Sequence, residues 1–476
     1  MIATVAAFIT LCVIRAFHAR SLPDTAPWHT DTLNSEFRVR DHQHGISFTD
    51  YQQLETRLDA EPAQFVQHLE NDASVRHAGR YVSSSKLNPQ THTKNWNWSF
   101  ILAHAHPRGA VVLVHGASDS PYSMRALAER LHQSGWTIVA VRLPGHGTLP
   151  SELQRVQVED WRAVVRSAVA HARDVIGENS PLYLAGYSTG GALSVDYTLD
   201  ALDDPLLDVP DGLILLSPAI AITRWAMLAR ADILTSLIPG FEKFAWTSIH
   251  PEFDPYKYNS FPKQAGRQTY RLTVRNQQRL DKLVARQEFD RFPPTLTFMS
   301  AVDTTVSVSA VVDQFYAHTD SNKQALVVFG VNRTNQALGF LRSDYLDAVM
   351  SARDDPGRPF DLTIVSNENA NSLSVQATTW CRLNQCERTQ ALTQRWPADV
   401  FSLSHVALPF APNDPIYGDT PGPDSPGPFT LGSLQPRGER GILVVPIEQL
   451  MRLRYNPFLP YLLERVDAFV EPTSSP

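Results

Sequence analysis

The sequence predicts an α/β fold in which a mostly parallel central sheet is flanked by helices. Three observations support this prediction. Short uncharged runs recur along the chain, as expected for strands that are buried on both faces of a sheet. Helical patterns alternate with these runs, which is typical of βαβ units. One run leads into Gly186-Tyr187-Ser188-Thr189-Gly190, a Gly-x-Ser-x-Gly sequence between a predicted strand and a predicted helix.

The Gly-x-Ser-x-Gly sequence has the form of a nucleophile elbow. The turn from strand to helix is so tight that a Cβ at Gly186 or Gly190 would collide with the neighbouring backbone. It holds Ser188 in a strained conformation, with its hydroxyl exposed above the N-terminus of the helix. An ordinary glycine-rich turn is the alternative, and partners for the serine elsewhere in the chain decide between the two.

The composition is that of a globular protein without a nucleic-acid partner. Of the 476 residues, 43% are hydrophobic and 19% are charged, and the formal net charge is -7. An acidic chain lacks the basic surface that a phosphate backbone requires. No metal-site spacing and no phosphate-binding loop is seen, so we expect neither a metal nor another cofactor. The composition does not predict an oligomeric state.

The first 20 residues form a separate apolar segment. Residues 1–14 carry no charge, and Arg15 and Arg20 follow them. A helix of that length spans roughly 21 Å, which is short of the ~30 Å hydrocarbon core but suits a signal peptide. We therefore expect a location in the cell envelope, periplasmic or membrane-anchored, with membrane association through this segment. A buried N-terminal helix in a cytoplasmic protein is the alternative.

The next two segments are an N-terminal extension and the first half of the α/β core. Residues 21–92 are polar with helical patches, and we assign no chemistry to them. Residues 93–218 contain the elbow and its neighbouring strands, which we expect at Gly109–Val114, Trp136–Val141 and Leu213–Leu216. His146 lies in a Pro-Gly-His-Gly loop before the serine, and we interpret it as structural.

Residues 219–292 predict a helical cap inserted over the pocket. Apolar and aromatic side chains occur there without strand-like spacing, and the segment is too long for a plain connection. Its aromatic content leads us to expect an apolar wall that favours uncharged substrates. A second small domain packed elsewhere is the alternative.

Residues 293–476 predict the second half of the core. We expect strands at Thr295–Ser300, Ala325–Phe329 and Asp361–Ile364, and a last catalytic strand with its loop at Val400–Val406. In an open α/β sheet, catalytic groups gather at the C-terminal ends of the strands. Asp303 follows such an end and is the candidate acid, with Asp313 and Asp320 as rivals.

The candidate base follows by elimination. A serine hydroxyl needs a base that is oriented by an acid, and this fold class places the three in the order Ser, acid, His. Only three histidines follow Ser188. His250 lies in the predicted cap before the acid, and His318 lies in a helix-like stretch 15 residues after Asp303. His405 alone follows a later predicted strand.

These motifs together resemble the α/β-hydrolase superfamily, and within it the monoglyceride-lipase and lysophospholipase-like serine esterases of the bacterial envelope. The matching pieces are LVHG at Leu113–Gly116, PGHG at Pro144–Gly147, GYSTGG at Gly186–Gly191, SAVDTTV at Ser300–Val306 and SHVALPF at Ser404–Phe410. Unlike the usual family connection, 102 positions separate Asp303 from His405, which predicts an insertion between acid and histidine.

The resemblance implies an acyl-enzyme mechanism. Ser188 attacks an acyl carbonyl, His405 moves the proton, Asp303 orients His405, and the backbone N–H groups of Ala117 and Thr189 hold the oxyanion. The expected substrate is a small-molecule or lipid-like carboxylic ester. A serine peptidase or amidase on the same fold is the alternative, and a non-catalytic lipid-binding protein is less favoured because no triad member is missing.

Cys381 and Cys386 are the cysteines outside the N-terminal apolar segment. The four residues between them are polar enough for a tight loop, whose ends reach the Cα separation of a disulfide. We expect a disulfide there, which fits an oxidising compartment. Two free thiols in a cytosolic enzyme are the alternative.

Overall fold

The computed structural model describes most of the chain between the two termini. The described residues are 10, 22–42, 45–69, 79–220, 242–319, 324–334, 347–422, 425, 430–434, 452 and 454–471. Most of the predicted N-terminal segment 1–20 lies outside them, as do residues 221–241 of the predicted cap. In the part of the chain that is described, no helix has the length and apolar character needed to cross a membrane.

A ten-stranded sheet forms the centre of the molecule, and a separate pair of short strands lies outside it. The strands are β1 (Phe100–Leu102), β2 (Ala110–Val114), β3 (Thr137–Val141), β4 (Leu182–Tyr187), β5 (Gly212–Leu216), β6 (Trp246–Ser248), β7 (Phe261–Pro262), β8 (Thr295–Ser300), β9 (Gln324–Phe329), β10 (Asp361–Asn367), β11 (Ser374–Trp380) and β12 (Glu387–Arg395). The sheet order is β1-β3-β2-β4-β5-β8-β9-β10-β11-β12. Its seven central strands, β3 to β10, are parallel, and β1, β11 and β12 add antiparallel edges.

Ten described helices surround the sheet. They are α1 (Pro27–Thr30), α2 (Phe48–Leu58), α3 (Ala60–Leu69), α4 (Arg125–Gln133), α5 (Val158–Ile176), α6 (Thr189–Asp203), α7 (Lys263–Ala285), α8 (Val308–Gln314), α9 (Asp347–Asp354) and α10 (Leu459–Val470). The predicted fold class, a mostly parallel sheet flanked by helices, is confirmed.

The central strands are uncharged because both of their faces are covered. Alternate residues of one strand belong to different cores: Val112 packs with residues of α5 and α6, whereas Val111 and Leu113 pack with residues of α4 and α10. Successive side chains of a strand point to opposite faces, so a strand between two helical layers needs apolar residues throughout. This explains why short continuous apolar runs predicted these strands.

Parallel pairing brings several loops to one edge of the sheet. Val114 at the end of β2 pairs with Gly186 near the end of β4, and Gly186 in turn pairs with Leu215 of β5. The residues that follow these strands, and Asp303 beyond the end of β8, therefore gather at the same edge. Residues far apart in sequence meet there.

The segment between Asp303 and His405 contains the strands β9 to β12, two of which extend the sheet as an antiparallel hairpin. The predicted last strand at Val400–Val406 is wrong. Its only strand-like pairing in the described residues is a single bridge between Ser402 and Val331, and His405 begins a short 3₁₀ turn. The reason is that β10 already occupies the place beside β9 where such a strand would pair.

The tip of the β11–β12 hairpin carries the two cysteines. Cys381 and Cys386 are joined by a disulfide, with their Cα atoms 5.1 Å apart. The backbone N–H of Cys381 donates to the carbonyl of Cys386 at 2.9 Å. The carbonyl of Cys381 also accepts a hydrogen bond from the buried Arg358 guanidinium at 2.7 Å, so the hairpin tip is tied to the loop before β10.

The N-terminal extension is bound to the core through buried charges. Arg142, at the end of β3, is fully buried and donates to both oxygens of Glu36 and, through Nε, to Glu55 of α2 at 2.9 Å. The same guanidinium donates to the carbonyl of His146 at 2.9 Å. The extension thus contacts the loop that follows β3, at the same edge of the sheet as Ser188 and Asp303.

Candidate active site

Ser188 occupies the turn between β4 and α6. Its φ of 55° lies in the left-handed region, which non-glycine residues rarely adopt. Its backbone N–H donates to the carbonyl of Leu216 at 2.9 Å, and its own carbonyl accepts from Ala219 at 3.0 Å. These bonds to the end of β5 and to the loop after it hold the strained turn in place. The Ser188 side chain lies directly before the first turn of α6, whose N–H groups point toward it.

The glycines of the elbow have no room for a side chain. A Cβ on Gly190 would lie 2.0 Å from the carbonyl oxygen of Val114, and one on Gly186 would lie 2.4 Å from the backbone of Gly190. Both clashes are with backbone that is fixed in the sheet or the helix. Close approach of the strand to the helix is therefore what requires glycine at these two positions.

His405 and Asp303 form a direct hydrogen bond. The distance between His405 Nδ1 and Asp303 Oδ2 is 2.7 Å, although 102 positions separate the residues. The Asp303 side chain is fully buried, and that of His405 is 6% exposed. The structure therefore brings the predicted acid and the predicted base together, away from competing water.

The second carboxylate oxygen of Asp303 is held by the backbone. Oδ1 accepts hydrogen bonds from the N–H groups of Thr305 and Val306, at 2.8 and 3.0 Å. Burial acts to raise the pKa of Asp303, but the hydrogen bond and charge of His405 and the two N–H groups outweigh it, and the pKa lies below its ordinary value. Asp303 is therefore ionised and fixed in orientation at neutral pH.

The side chain of Tyr187 packs beneath the imidazole of His405. The hydroxyl of Tyr187 donates to the carbonyl of His405 at 3.2 Å, and the two ring centroids lie 5.3 Å apart. Tyr187 directly precedes Ser188, so the floor beneath His405 belongs to the same turn as the serine. This contact fixes the histidine relative to the elbow.

A cavity of about 300 Å³ opens onto these groups. Ser188, His405 and Ala117 all line it. Thr189 is the first residue of α6 and is buried, and its hydroxyl lies 3.3 Å from that of Thr269. The cavity is thus bounded by the elbow on one side and by the loop after β2 on another.

His146 fixes that loop after β2. Its imidazole is buried, and Nε2 lies 2.9 Å from the carbonyl oxygen of Ala117. Nδ1 lies 3.1 Å from the carbonyl of Leu143. Burial lowers the pKa of His146, so the ring is neutral at physiological pH. His146 does not line the cavity, which agrees with its interpretation as a structural residue.

The rival candidates lie elsewhere. His318 is exposed and ends a 3₁₀ turn after α8, and Asp313 is an exposed residue on α8 itself. His250 is half-buried beside Ser260 and does not line the cavity. Asp320 lies outside the described residues.

Three cationic residues of the cavity were not predicted. They are Lys257, Arg452 and Arg454, which come from the segment before β7 and from the segment before α10. Of the aromatic residues that led to the expectation of an apolar wall, Trp225 and Phe241 lie outside the described residues, whereas Tyr258 and Phe261 line the cavity. The described wall therefore combines aromatic groups with cations, and the preference for uncharged substrates stays a prediction. No local sequence signal marks these cations, because only tertiary contacts bring them to the serine.

Metal binding is not indicated by the described residues. Among them, no group of three or more His, Cys, Asp or Glu side chains is arranged to hold a metal ion. The chemistry that the described groups can perform is that of a nucleophile, a base and an orienting acid.

Comparisons with known proteins agree on the class of this chain. Residues 105–330 match the family model Hydrolase_4, described as serine aminopeptidase, S33. A thermostable monoacylglycerol lipase from a Bacillus species is 29% identical over 238 residues, which are 49% of this chain and 81% of the lipase. A carboxylesterase from Bacillus subtilis is 31% identical over 86 residues, 18% of this chain and 34% of the esterase.

Solved structures include a monoacylglycerol lipase from Paleococcus ferrophilus, at 21% identity and a TM-score of 0.37, covering 49% of this chain and 87% of the lipase. The family match spans the elbow and Asp303. The chain thus has the α/β-hydrolase fold, and its residues 105–330 are similar to the family of serine hydrolases that this model describes.

Proposed function

We propose that the protein is a serine hydrolase that cleaves carboxylic esters through an acyl-enzyme intermediate. The observation that carries this proposal is the 2.7 Å hydrogen bond between His405 Nδ1 and Asp303 Oδ2 beside a cavity that Ser188 also lines. A buried imidazole whose Nδ1–H donates to a fixed carboxylate leaves Nε2 without a proton, so Nε2 can act as a base. Ser188, at the start of a helix in a strained turn, is the nucleophile for that base.

In the first half of the reaction, Ser188 Oγ bonds to the acyl carbon while its proton passes to His405 Nε2. The carbonyl π electrons move to the oxygen, and we assign the backbone N–H groups of Ala117 and Thr189 as donors to this oxyanion. When the carbonyl reforms, the bond to the alcohol oxygen breaks and His405 returns the proton to that oxygen. Asp303 stabilises the imidazolium that exists between these steps.

In the second half, water replaces the alcohol. Its oxygen bonds to the acyl carbon as His405 Nε2 takes a proton, and the same N–H groups stabilise the second oxyanion. The bond to Ser188 Oγ then breaks, and the proton on His405 goes to the serine. The enzyme returns to its starting state and a carboxylic acid leaves.

Ester bonds are favoured over amide bonds by the named relatives. Two of them are called a monoacylglycerol lipase and a carboxylesterase, whereas the family model carries the description of a serine aminopeptidase. An aminopeptidase needs a free carboxylate to bind the terminal ammonium group. The cavity carboxylate Asp119 is instead paired with Lys257 at 3.1 Å. This pairing supports the ester assignment.

The test uses para-nitrophenyl esters from acetate to palmitate beside aminoacyl anilides. Wild-type protein should hydrolyse esters and take a fluorophosphonate label at Ser188. Ser188→Ala should lose the label and roughly 10³–10⁶-fold in kcat, because the triad acts as a unit. Ser167→Ala, a matched change on α5 away from the cavity, should keep both. Labelling of Ser188→Ala, or turnover of anilides alone, would contradict the proposal.

We also propose a location in the cell envelope. The uncharged N-terminal residues 1–14 and the disulfide between Cys381 and Cys386 both support it. Fractionation of cells that express the full chain, compared with a version that lacks residues 1–20, tests this proposal. Recovery of both forms in the cytoplasmic fraction would contradict it.

A further inference from the structure

Lys257, Arg452 and Arg454 form what we call the cationic wall of the active-site cavity. All three line the same cavity as Ser188 and His405. The chain as a whole is acidic, with a formal charge of -7. A cluster of three cations beside the nucleophile therefore differs from the overall charge of the protein. Such a cluster needs an electrostatic partner, either within the protein or in a ligand.

Two of the three cations are positioned by buried carboxylates. Lys257 Nζ lies 3.1 Å from Asp119 Oδ1, and Arg454 Nη1 lies 3.0 Å from Asp254 Oδ2. The Lys257 and Arg454 side chains are only 15% and 10% exposed, and the two carboxylates are almost fully buried. An ammonium has three donors and a guanidinium has five, so each cation keeps donors that the carboxylate does not use. These side chains are therefore fixed donors at the cavity surface.

Arg452 differs because it lacks such a partner. The side chain is exposed, and across the described residues no carboxylate lies at ion-pair distance from it. Burial raises the pKa of Tyr187 well above its ordinary value, Asp119 and Asp303 add to the rise, and the charge of Arg452 opposes it. The guanidinium is thus close enough to act on the residue that supports His405. Its planar fork remains available to a carboxylate or a phosphate.

We propose that the cationic wall binds an anionic group, a carboxylate or a phosphate, that is carried by the ester substrate. This inference rests on the proposed esterase function and deepens it by naming a substrate class. A cavity of about 300 Å³ is at the small end for ligand sites, so the anion lies only a few bonds from the scissile carbonyl. Arg452 is the residue that determines the specificity, because its charge is the one that the described protein leaves unmatched.

Two pairs of substrates test the proposal. The adipate monoester of para-nitrophenol is compared with para-nitrophenyl hexanoate, which has the same chain length and a methyl group in place of the carboxylate. Butanoylglycerol phosphate is compared with butanoylglycerol, which lacks the phosphate and has an acyl chain short enough for the cavity. In wild-type protein, kcat/KM should be higher for the anionic member of at least one pair. The pair that shows the preference identifies the anion as a carboxylate or a phosphate.

The variant Arg452→Gln should lower the anionic-to-neutral ratio of kcat/KM by about tenfold, the lower range for a charged hydrogen bond that water partly screens. A ratio is used so that any general loss of activity divides out. Arg57→Gln removes an exposed arginine of α2 that does not line the cavity and should leave the ratio unchanged. Added salt should also lower the wild-type ratio.

The outcomes separate this inference from the proposed function. Hydrolysis of the neutral esters without preference for either anionic partner, or an Arg452→Gln ratio equal to wild type, would overturn the inference and leave the esterase proposal standing. Failure of wild-type protein to hydrolyse any of the four esters would overturn both. A preference for the anionic substrate that Arg452→Gln abolishes and Arg57→Gln retains would support the inference of an anion-binding wall.

Discussion

At the scale of single residues, orientation rather than proximity decides what the site can do. Asp303 illustrates this, because each of its carboxylate oxygens has a separate task. Oδ2 faces His405 Nδ1 at 2.7 Å, and Oδ1 accepts from the N–H groups of Thr305 and Val306. Backbone donors therefore fix which oxygen the imidazole meets. The turn at Ser188 is held in the same way, by backbone bonds to Leu216 and Ala219.

This division of tasks leads to a prediction for Asp303→Asn. The single oxygen of the amide should stay with the two backbone N–H groups, so its NH₂ group faces His405 Nδ1. The imidazole must then accept at Nδ1 and carry its proton on Nε2, which removes the base from Ser188. We expect kcat to fall by about 10⁴-fold, as when a triad acid loses its charge and the wrong tautomer forms.

The measurement is kcat for a para-nitrophenyl ester together with the Tm of each protein. Asp313→Asn is the matched control, because Asp313 is an exposed carboxylate on α8, ten positions further along the chain. It should keep the wild-type rate. An Asp303→Asn protein that folds normally and retains more than a tenth of the rate would show that another group orients His405.

At the scale of elements, the N-terminal extension and β3 meet in a cluster of buried charges. Glu36, Glu55 and Glu152 face two buried guanidiniums, Arg142 and Arg38. The exposed Arg155 also lies 3.8 Å from Glu152, so the three carboxylates face three cations, of which two are buried. A carboxylate that is buried without full compensation is costly to keep ionised. Burial raises the pKa of Glu55 to about 7, whereas the attraction of Arg142 outweighs burial at Glu36 and lowers its pKa. Glu55 is thus the member that holds a proton.

The prediction compares Glu55→Gln with Glu36→Gln at about pH 6, where Glu55 is protonated in the folded state. Gln at position 55 keeps an oxygen for Arg142 Nε and Ser99 Oγ, so the free energy of unfolding should change by less than about 1 kcal/mol. Glu36→Gln removes an ionised partner that binds two nitrogens of Arg142, and should cost about 3–5 kcal/mol. Thermal unfolding of both variants measures the difference. Equal losses would mean that Glu55 is ionised as well.

The β11–β12 hairpin carries the second element-scale prediction. The bond between Cys381 and Cys386 closes a very short loop, so it restricts the unfolded chain little, and its loss should cost about 2 kcal/mol or less. Thiol titration of denatured, unreduced protein should find neither residue reactive. The Cys381→Ser, Cys386→Ser double variant should show a slightly lower Tm with unchanged ester hydrolysis, because the hairpin does not line the cavity. Two reactive thiols would show that the disulfide between Cys381 and Cys386 does not form.

At the scale of the whole molecule, the features that the sequence predicted are those that depend on burial or on the order of residues along the chain. The runs at Gly109–Val114 and Thr295–Ser300 correspond to β2 and β8, because strands that are buried on both faces lack charged residues. Ser188, Asp303 and His405 were identified from motif context and from the order of residues along the chain. The structure brings them to one edge of the sheet.

The features that were missed have no local signal. Strands β11 and β12 lie at or near the open edge of the sheet, and β12 is mostly exposed, so it has polar residues where a central strand has apolar ones. The extension binds through Arg142 and its carboxylates, and ion pairs between distant segments leave no periodic pattern. Arg452 reaches the cavity only through tertiary folding. The position of the edge strands, the docking of the extension and the position of Arg452 all depend on contacts with distant residues rather than on local composition.

The buried carboxylates also determine how the whole protein responds to pH. Burial raises the pKa of Glu55 and of Glu252 to about 7 each, above the ordinary value of 4.5. The folded state therefore retains protons that the unfolded state releases. The stability that these groups contribute is fully present below their ordinary pKa and is lost as the pH rises through about 7. In the opposite sense, Asp200 has its pKa lowered to about 2 by its arginine partners despite burial, so its contribution is lost only in strong acid.

Buried histidines act in the opposite sense. Burial lowers the pKa of His29 to about 3 and also lowers that of His146, so the stability that these two residues contribute is lost as the pH falls below the ordinary value of 6.5. The test therefore compares variants. Glu55→Gln has no proton to lose at position 55, so the Tm of the wild type minus that of Glu55→Gln should fall by a few degrees between about pH 5.5 and pH 8.5, while Arg57→Gln should follow the wild type. Calorimetry in buffers of constant ionic strength measures all three curves. A Glu55→Gln curve parallel to the wild-type curve would show that Glu55 is ionised in the folded state across this range.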